Sequence, residues 1–150
     1  MSEEAKKDLG RRAVACKHWE WLPGMLTLAT SRDGAWRIDG QKGSLCINGA
    51  YSEEVTGAVL SDNHLPDLAD AETRACLLKL VLDAYKAKSF TVTQYNRSTN
   101  TPGARLLSYW VAEGYSRGRR TKTDGKFAHS HDDYGRLWKL GLVAALEAAK

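Results

Sequence analysis

RLLSYWVAEGYSRGRRTKTDGKFAHSHDDYG, residues 105–135, carries the change of pattern on which the C-terminal half turns. Its first nine residues alternate, with Leu107, Tyr109 and Val111 on one side, and this predicts a β-strand over 105–113. Residues 114–126 then gather Arg117, Arg119, Arg120, Lys122 and Lys126 among Gly114, Gly118 and Gly125, with Asp124 the lone acid. Five bases against one acid account for the chain's whole excess of +4. The segment reads as a basic loop. Ser130 and Asp133 follow at the spacing of a capping box, with Asp in place of the usual Glu, and this predicts a helix from about 131 to 149. Leu137, Leu140, Gly141, Ala144 and Ala148 form its main stripe.

Upstream, SFTVTQY (89–95) alternates as another strand and is separated from the first by the polar NRSTNTPG (96–103). LPDLADAETRACLLKLVLDAYKAK (65–88) predicts a helix. Pro66 stops what precedes it, Asp70 caps it, Glu72 favours the positive end of its dipole, and Leu77, Leu78, Val81, Ala84 and Tyr85 make its apolar stripe. Residues 2–18 predict a first helix, with Ala5, Leu9, Ala13 and Cys16 at steps of three and four. Between these helices lie short strand-like runs at 25–30, 35–39 and 44–48. The turn SRDG at 31–34 separates the first two, and a further strand is expected within 51–60. The order predicts a single α+β domain over 1–150, an antiparallel sheet of five or six strands covered by three helices. The sheet would consist of an N-terminal meander and a later strand pair.

The chain has 150 residues, 43% hydrophobic and 27% charged, an ordinary globular balance. No apolar run approaches the roughly 18 residues of a membrane-spanning helix. The N-terminal residues are charged throughout, unlike a secretory signal. Cys16, Cys46 and Cys76 are three, an odd number that argues against a disulfide framework and for a reducing cytoplasm. Cys16 and Cys76 fall on apolar helix faces and are expected to be small buried hydrophobes.

Three stretches together resemble a family of small uncharacterised proteins encoded by bacteriophages and prophages: RRAVACKHWEWLPGM (11–25), LPDLADAETRACLLKLVLDAY (65–85) and LVAALEAA (142–149). Members run A-C-K-G-W-x-W-x-P-G-M, then L-P-D-L-x-D-P-A-T-x-G-C-L-L, then a helix rich in Ala, Leu and Glu. This chain departs at His18, at Ala71-Glu72 and at Arg74-Ala75. The basic segment 114–126 has no counterpart. The resemblance implies a viral accessory protein that blunts a host defence in the bacterial cytoplasm; it implies no reaction and no catalytic residue.

The residues themselves offer one concentration of chemistry. Arg117, Arg119 and Arg120 present planar forks suited to phosphate oxygens, with Lys122 and Lys126 beside them. The three glycines would let the backbone approach an anion. Tyr115, Tyr109 and Trp110 would supply a stacking surface, and His131 a positive helix end. HSHDDY at 129–134 resembles the opening of a hydrolase metal motif, but Tyr134 stands where a further histidine belongs. Neither a metal nor another cofactor is expected. There is no G-x-S-x-G, no P-loop and no G-x-G-x-x-G, so no enzyme is expected either. The expected function is stoichiometric binding of an anionic ligand, first a nucleotide-derived immune signal held by a homo-oligomer. The alternatives are a nucleic acid or an acidic host protein on the same segment and, more weakly, a small metal-dependent hydrolase using His129, His131 and Asp133. Leu142, Val143, Ala145 and Leu146, off the main stripe of the last helix, motivate the oligomer.

Overall fold

A computed structural model describes residues 1–28, 35–38, 45–47, 50–51, 64–94, 105–130, 133 and 136–150. The strand expected within 51–60 therefore lies outside the described residues beyond Tyr51, as do the turn at 31–34, the polar loop at 96–103 and His131. The fold class is α+β, with helices α1 (Glu3–Val14), α2 (Ala71–Tyr85) and α3 (Leu137–Ala148). A single sheet of five or six strands is not seen among the described residues. Among those residues the strands make two antiparallel sheets, β1 (Trp36–Ile38), β2 (Leu45–Ile47) and β3 (Ala50–Tyr51) in one, β4 (Ser89–Gln94), β5 (Arg105–Ser116) and β6 (Arg119–Ser130) in the other. The chain groups into two compact units, one of Met1, Cys16–His18 and Leu77–Lys150, the other of Ser2–Ala15 and Trp19–Cys76.

The N-terminal unit is built on one extended segment. Thr27 N–H donates to Trp36 O, Leu28 N–H to Leu65 O and Asp67 N–H to Leu26 O, so residues 24–28 run between 36–38 and 65–67. Ser2 caps α1 by accepting from Ala5 N–H at 3.2 Å, and Glu3 and Glu4 fill the first turn, where the helix dipole favours acids. Gly10 lets that helix press on the 65–66 segment, since a Cβ there would meet Leu65 Cβ at 3.2 Å. Cys16 and Cys76 are half-buried rather than buried.

The C-terminal unit is organised by its β-meander. Its inner face carries Phe90, Val92, Leu106, Ser108, Trp110, Ala112, Phe127 and His129. α3 crosses that face at Gly141, where an added Cβ would come within 2.5 Å of Val92 Cγ2. Phe90 packs on Trp110 and edge-on to Trp138, and Tyr85 on Trp110, each with ring centroids 5.2–6.2 Å apart. Trp110 is thus core, 2% exposed, and not part of a stacking surface. α2 ends in a Schellman turn. Lys86 takes φ 50°, Lys86 N–H donates to Asp83 O and Ala87 N–H to Leu82 O.

The basic segment is not a loop. β5 continues to Ser116, β6 starts at Arg119, and Arg117-Gly118 make a two-residue turn with φ 50° and 76°. Positive φ at both positions is the type I′ requirement, the turn whose twist matches paired strands. The helix expected from 131 begins instead at Leu137. Ser130 is the last residue of β6, and its N–H and hydroxyl both donate to Asp133 Oδ2, at 3.2 and 2.7 Å, so the Ser-x-x-Asp signal pins a strand end. Leu142, Val143, Ala145 and Leu146 are wholly buried within one chain and offer no surface to a second copy.

Candidate anion-binding surface

Period-two alternation sorts the hairpin's side chains. On β6 the even positions Arg120, Lys122, Asp124 and Lys126 point away from α3 and are exposed, while Phe127 and His129 point in and are buried. Their partners on β5 are Tyr115, Glu113, Val111 and Tyr109 in turn. The outer face continues through Leu107, 46% exposed, to Arg105, and across β4 through Ser89, Thr91 and Thr93. Tyr115 is 63% exposed and lies under Lys88 Nζ, 5.9 Å from the ring centroid.

Of the eight residues expected to bind, the structure brings six together on this hairpin. Arg120, Lys122, Lys126 and Tyr115 share the outer face, and Arg117 and Arg119 flank Gly118 at the exposed tip. Trp110 is on the opposite face, and His131 is outside the described residues. Arg105, Lys88 and Leu107 join the surface without having been singled out. The charged even positions of 119–130 were the available signal for an outer face.

Two acids temper the charge. Glu113 Oε2 accepts from Arg120 Nη2 at 2.6 Å, and this hydrogen bond, with the accompanying charge attraction, raises the arginine's pKa. Asp124 lies 3.8 Å from Lys122 Nζ. Arg105, Lys126, Arg117 and Arg119 keep the surface net positive. Of the glycines expected to cradle an anion, only Gly118 is open. A Cβ at 114 would stand 2.6 Å from Lys86 O, and one at 125 would meet the Trp110 ring, so these two serve close packing.

Other chemistry is accounted for by folding. Ser108 Oγ and His129 Nε2 are 2.9 Å apart and buried, and His129 Nδ1 is 3.0 Å from Ser130 O. Because a carbonyl only accepts, Nδ1 carries the proton and Nε2 accepts from the Ser108 hydroxyl. Both ring nitrogens are engaged. Among the described residues no cluster of three or more His, Cys, Asp or Glu side chains is placed to hold a metal ion. In the N-terminal unit Arg37 donates to Gly24 O and to the carboxylates of Asp70 and Glu72, while Asp70 Oδ2 accepts from Thr73 N–H and hydroxyl. Thr73 Oγ1 in turn accepts from Leu26 N–H at 2.8 Å. Burial alone would raise the Asp70 pKa. The hydrogen bonds from Arg37 and Thr73 outweigh it and bring the pKa below its ordinary value.

A pocket of about 370 Å³ in the C-terminal unit is lined by residues that include Tyr85, Trp110, Asp124 and Ala149, and by none of the hairpin arginines. No described helix is long and apolar enough to cross a membrane. Compared with family models, curated proteins and solved structures, the chain matches none.

Proposed function

We propose that this protein binds an anionic target stoichiometrically on the β5–β6 hairpin, and that the target is a nucleic acid rather than a compact nucleotide. The observation that carries this reading is the openness of the basic groups. Arg117, Arg119, Arg120, Lys122 and Lys126 are all exposed along one ribbon, whereas the pocket in the same unit is lined by none of them and carries one residue of each sign, Asp124 and Lys150. A small phosphorylated ligand is normally gripped in a concave site that hides most of its surface. Phosphates spread along a polymer are met instead by cations spread along a groove or face. Alternate residues of a strand lie about 6.8 Å apart, so Arg120 and Lys122 reach successive points along such a polymer. The resemblance to phage-encoded proteins supports an accessory role in a bacterial cytoplasm, where occupancy of the nucleic acid would blunt a host defence without chemistry.

The test is depletion and return. Purified protein is incubated separately with a random single-stranded oligonucleotide and with a panel of cyclic and ADP-ribose-derived nucleotides, filtered, then heated to release what it held. The reading expects the oligonucleotide to be depleted and to return intact. Depletion of a small nucleotide instead restores the immune-signal reading, and an altered product makes the protein an enzyme.

A further inference from the structure

From the same surface we infer that the strand is single and that it lies on the outer face of the β4–β5–β6 sheet with bases stacked on Tyr115 and Tyr109. This rests on the nucleic-acid reading above and goes beyond it in naming the form of the polymer and the side chains that meet its bases. The tip arginines alone could touch any polyanion. The rest of the face is selective. α3 covers the inner side only, so the outer side presents residues of all three strands to solvent, including Ser89, Thr91, Thr93, Leu107 and Tyr115. Antiparallel sheets commonly leave one face wet, and that face is then ordinarily polar. Here it holds the exposed Tyr115 and Leu107, the half-buried Tyr109 and, between the tyrosines, the buried Val111, with a cation beside each ring and near the leucine. Tyr115 is opposite Arg120 and under Lys88, Tyr109 opposite Lys126, and Leu107 two residues along β5 from Arg105.

That pairing of ring and cation is the chemistry of an unpaired nucleotide. A base offers a π-face to an aromatic ring, and its phosphate offers charge to the neighbouring base or guanidinium. A duplex hides its π-faces in its own stack and offers no base to an aromatic side chain. Tyr109 and Tyr115 are six residues apart on one strand, about 20 Å, so one single strand of several nucleotides spans both. Glu113 and Asp124, between them, are paired with Arg120 and Lys122, so this stretch is balanced in charge and the positive excess lies at its ends, in Arg117 and Arg119 and in Lys126 and Arg105.

The experiment compares Kd by fluorescence anisotropy for a labelled single strand of about ten nucleotides, within the range of site sizes of small single-strand-binding domains, and for the same sequence as a duplex. The wild type is run beside Tyr115→Leu, Tyr109→Leu, Tyr115→Phe and the triple Arg117→Ala/Arg119→Ala/Arg120→Ala. Leucine keeps apolar bulk on the strand and removes the π-face; Tyr115 is exposed enough that its variants fold. We expect preference for the single strand, a loss of roughly fivefold or more for each Tyr→Leu, and wild-type affinity for Tyr115→Phe. Equal binding of duplex and single strand, indifferent to the tyrosines but weakened in the triple variant, overturns this inference and leaves the nucleic-acid reading standing. No binding of either form by the wild type overturns both.

Discussion

Trp110 and Gly125 face each other across β5 and β6, and the indole covers the glycine so closely that a Cβ at 125 would stand 2.6 Å from Trp110 Cζ2. The pair explains why a glycine sits inside a long strand, where it costs backbone entropy. It also separates the two faces of the hairpin, with the indole inside and the cations outside.

Gly125→Ala should therefore be costly although the residue lies among exposed neighbours. Displacing the indole is an overpacking strain of about 1–3 kcal/mol, a fall in Tm of about 2–4 °C for each kcal/mol in a chain of this length. Thermal unfolding followed by tryptophan fluorescence reads it. An unchanged Tm would mean the ring does not lie over position 125.

The turn makes a prediction of opposite sign. Arg117 has a left-handed backbone that costs an L-residue about 1–2 kcal/mol, and Asn-Gly is the preferred pair for a type I′ turn. Arg117→Asn should raise stability by up to about 1 kcal/mol while weakening binding. Stability that falls, in urea unfolding, would rule out this turn geometry.

Asp70 gives the pH dependence. Its folded pKa is depressed, so it contributes stability that is fully present above the unfolded value, near 4, and is lost as pH falls through the folded value. Asn remains a good helix cap, so Asp70→Asn isolates the charge interaction with Arg37. The variant should lose about 1 kcal/mol at pH 7 and show a flatter decline below pH 4. Urea midpoints at pH 7 and pH 3 measure both, and parallel curves for variant and wild type would refute the assignment.

The buried Ser108–His129 pair should behave as one structural unit. Ser108→Ala strands an imidazole nitrogen at about 1–3 kcal/mol, and a double-mutant cycle with His129→Leu should return a coupling energy of at least about 0.5 kcal/mol. Additive costs would mean the two side chains act apart. Because both ring nitrogens already have partners, added zinc should leave the wild-type Tm unchanged.

Local signals in the chain were legible where one residue type can do one thing. Asp70 before an apolar period marked the start of α2, and Ser2 with two glutamates marked α1. The hairpin was harder, because its turn is Arg-Gly rather than Asn-Gly and so many charges in a row obscure a strand. Thr121, Thr123, Phe127 and His129, alternating with charged or small residues, held the period-two signal. The six hairpin residues expected to bind were found together because β-pairing conserves sequence proximity. Trp110 was misplaced for the same reason: neighbours in a strand point to opposite faces. Arg105 and Lys88 could be placed on the surface only once the register joined three strands.

The salt dependence of binding tests most directly whether the hairpin cations hold an anionic polymer. Kd for a labelled single strand of about ten nucleotides is measured from low to physiological salt for the wild type and for Arg117→Ala/Arg119→Ala/Arg120→Ala. Each phosphate contact contributes about 0.7 to the log–log slope for a single strand. The wild type should therefore weaken steeply with salt, and the triple variant should bind more weakly with a slope smaller by about 2, at an unchanged Tm. Equal affinities and equal slopes in the two proteins would contradict the account.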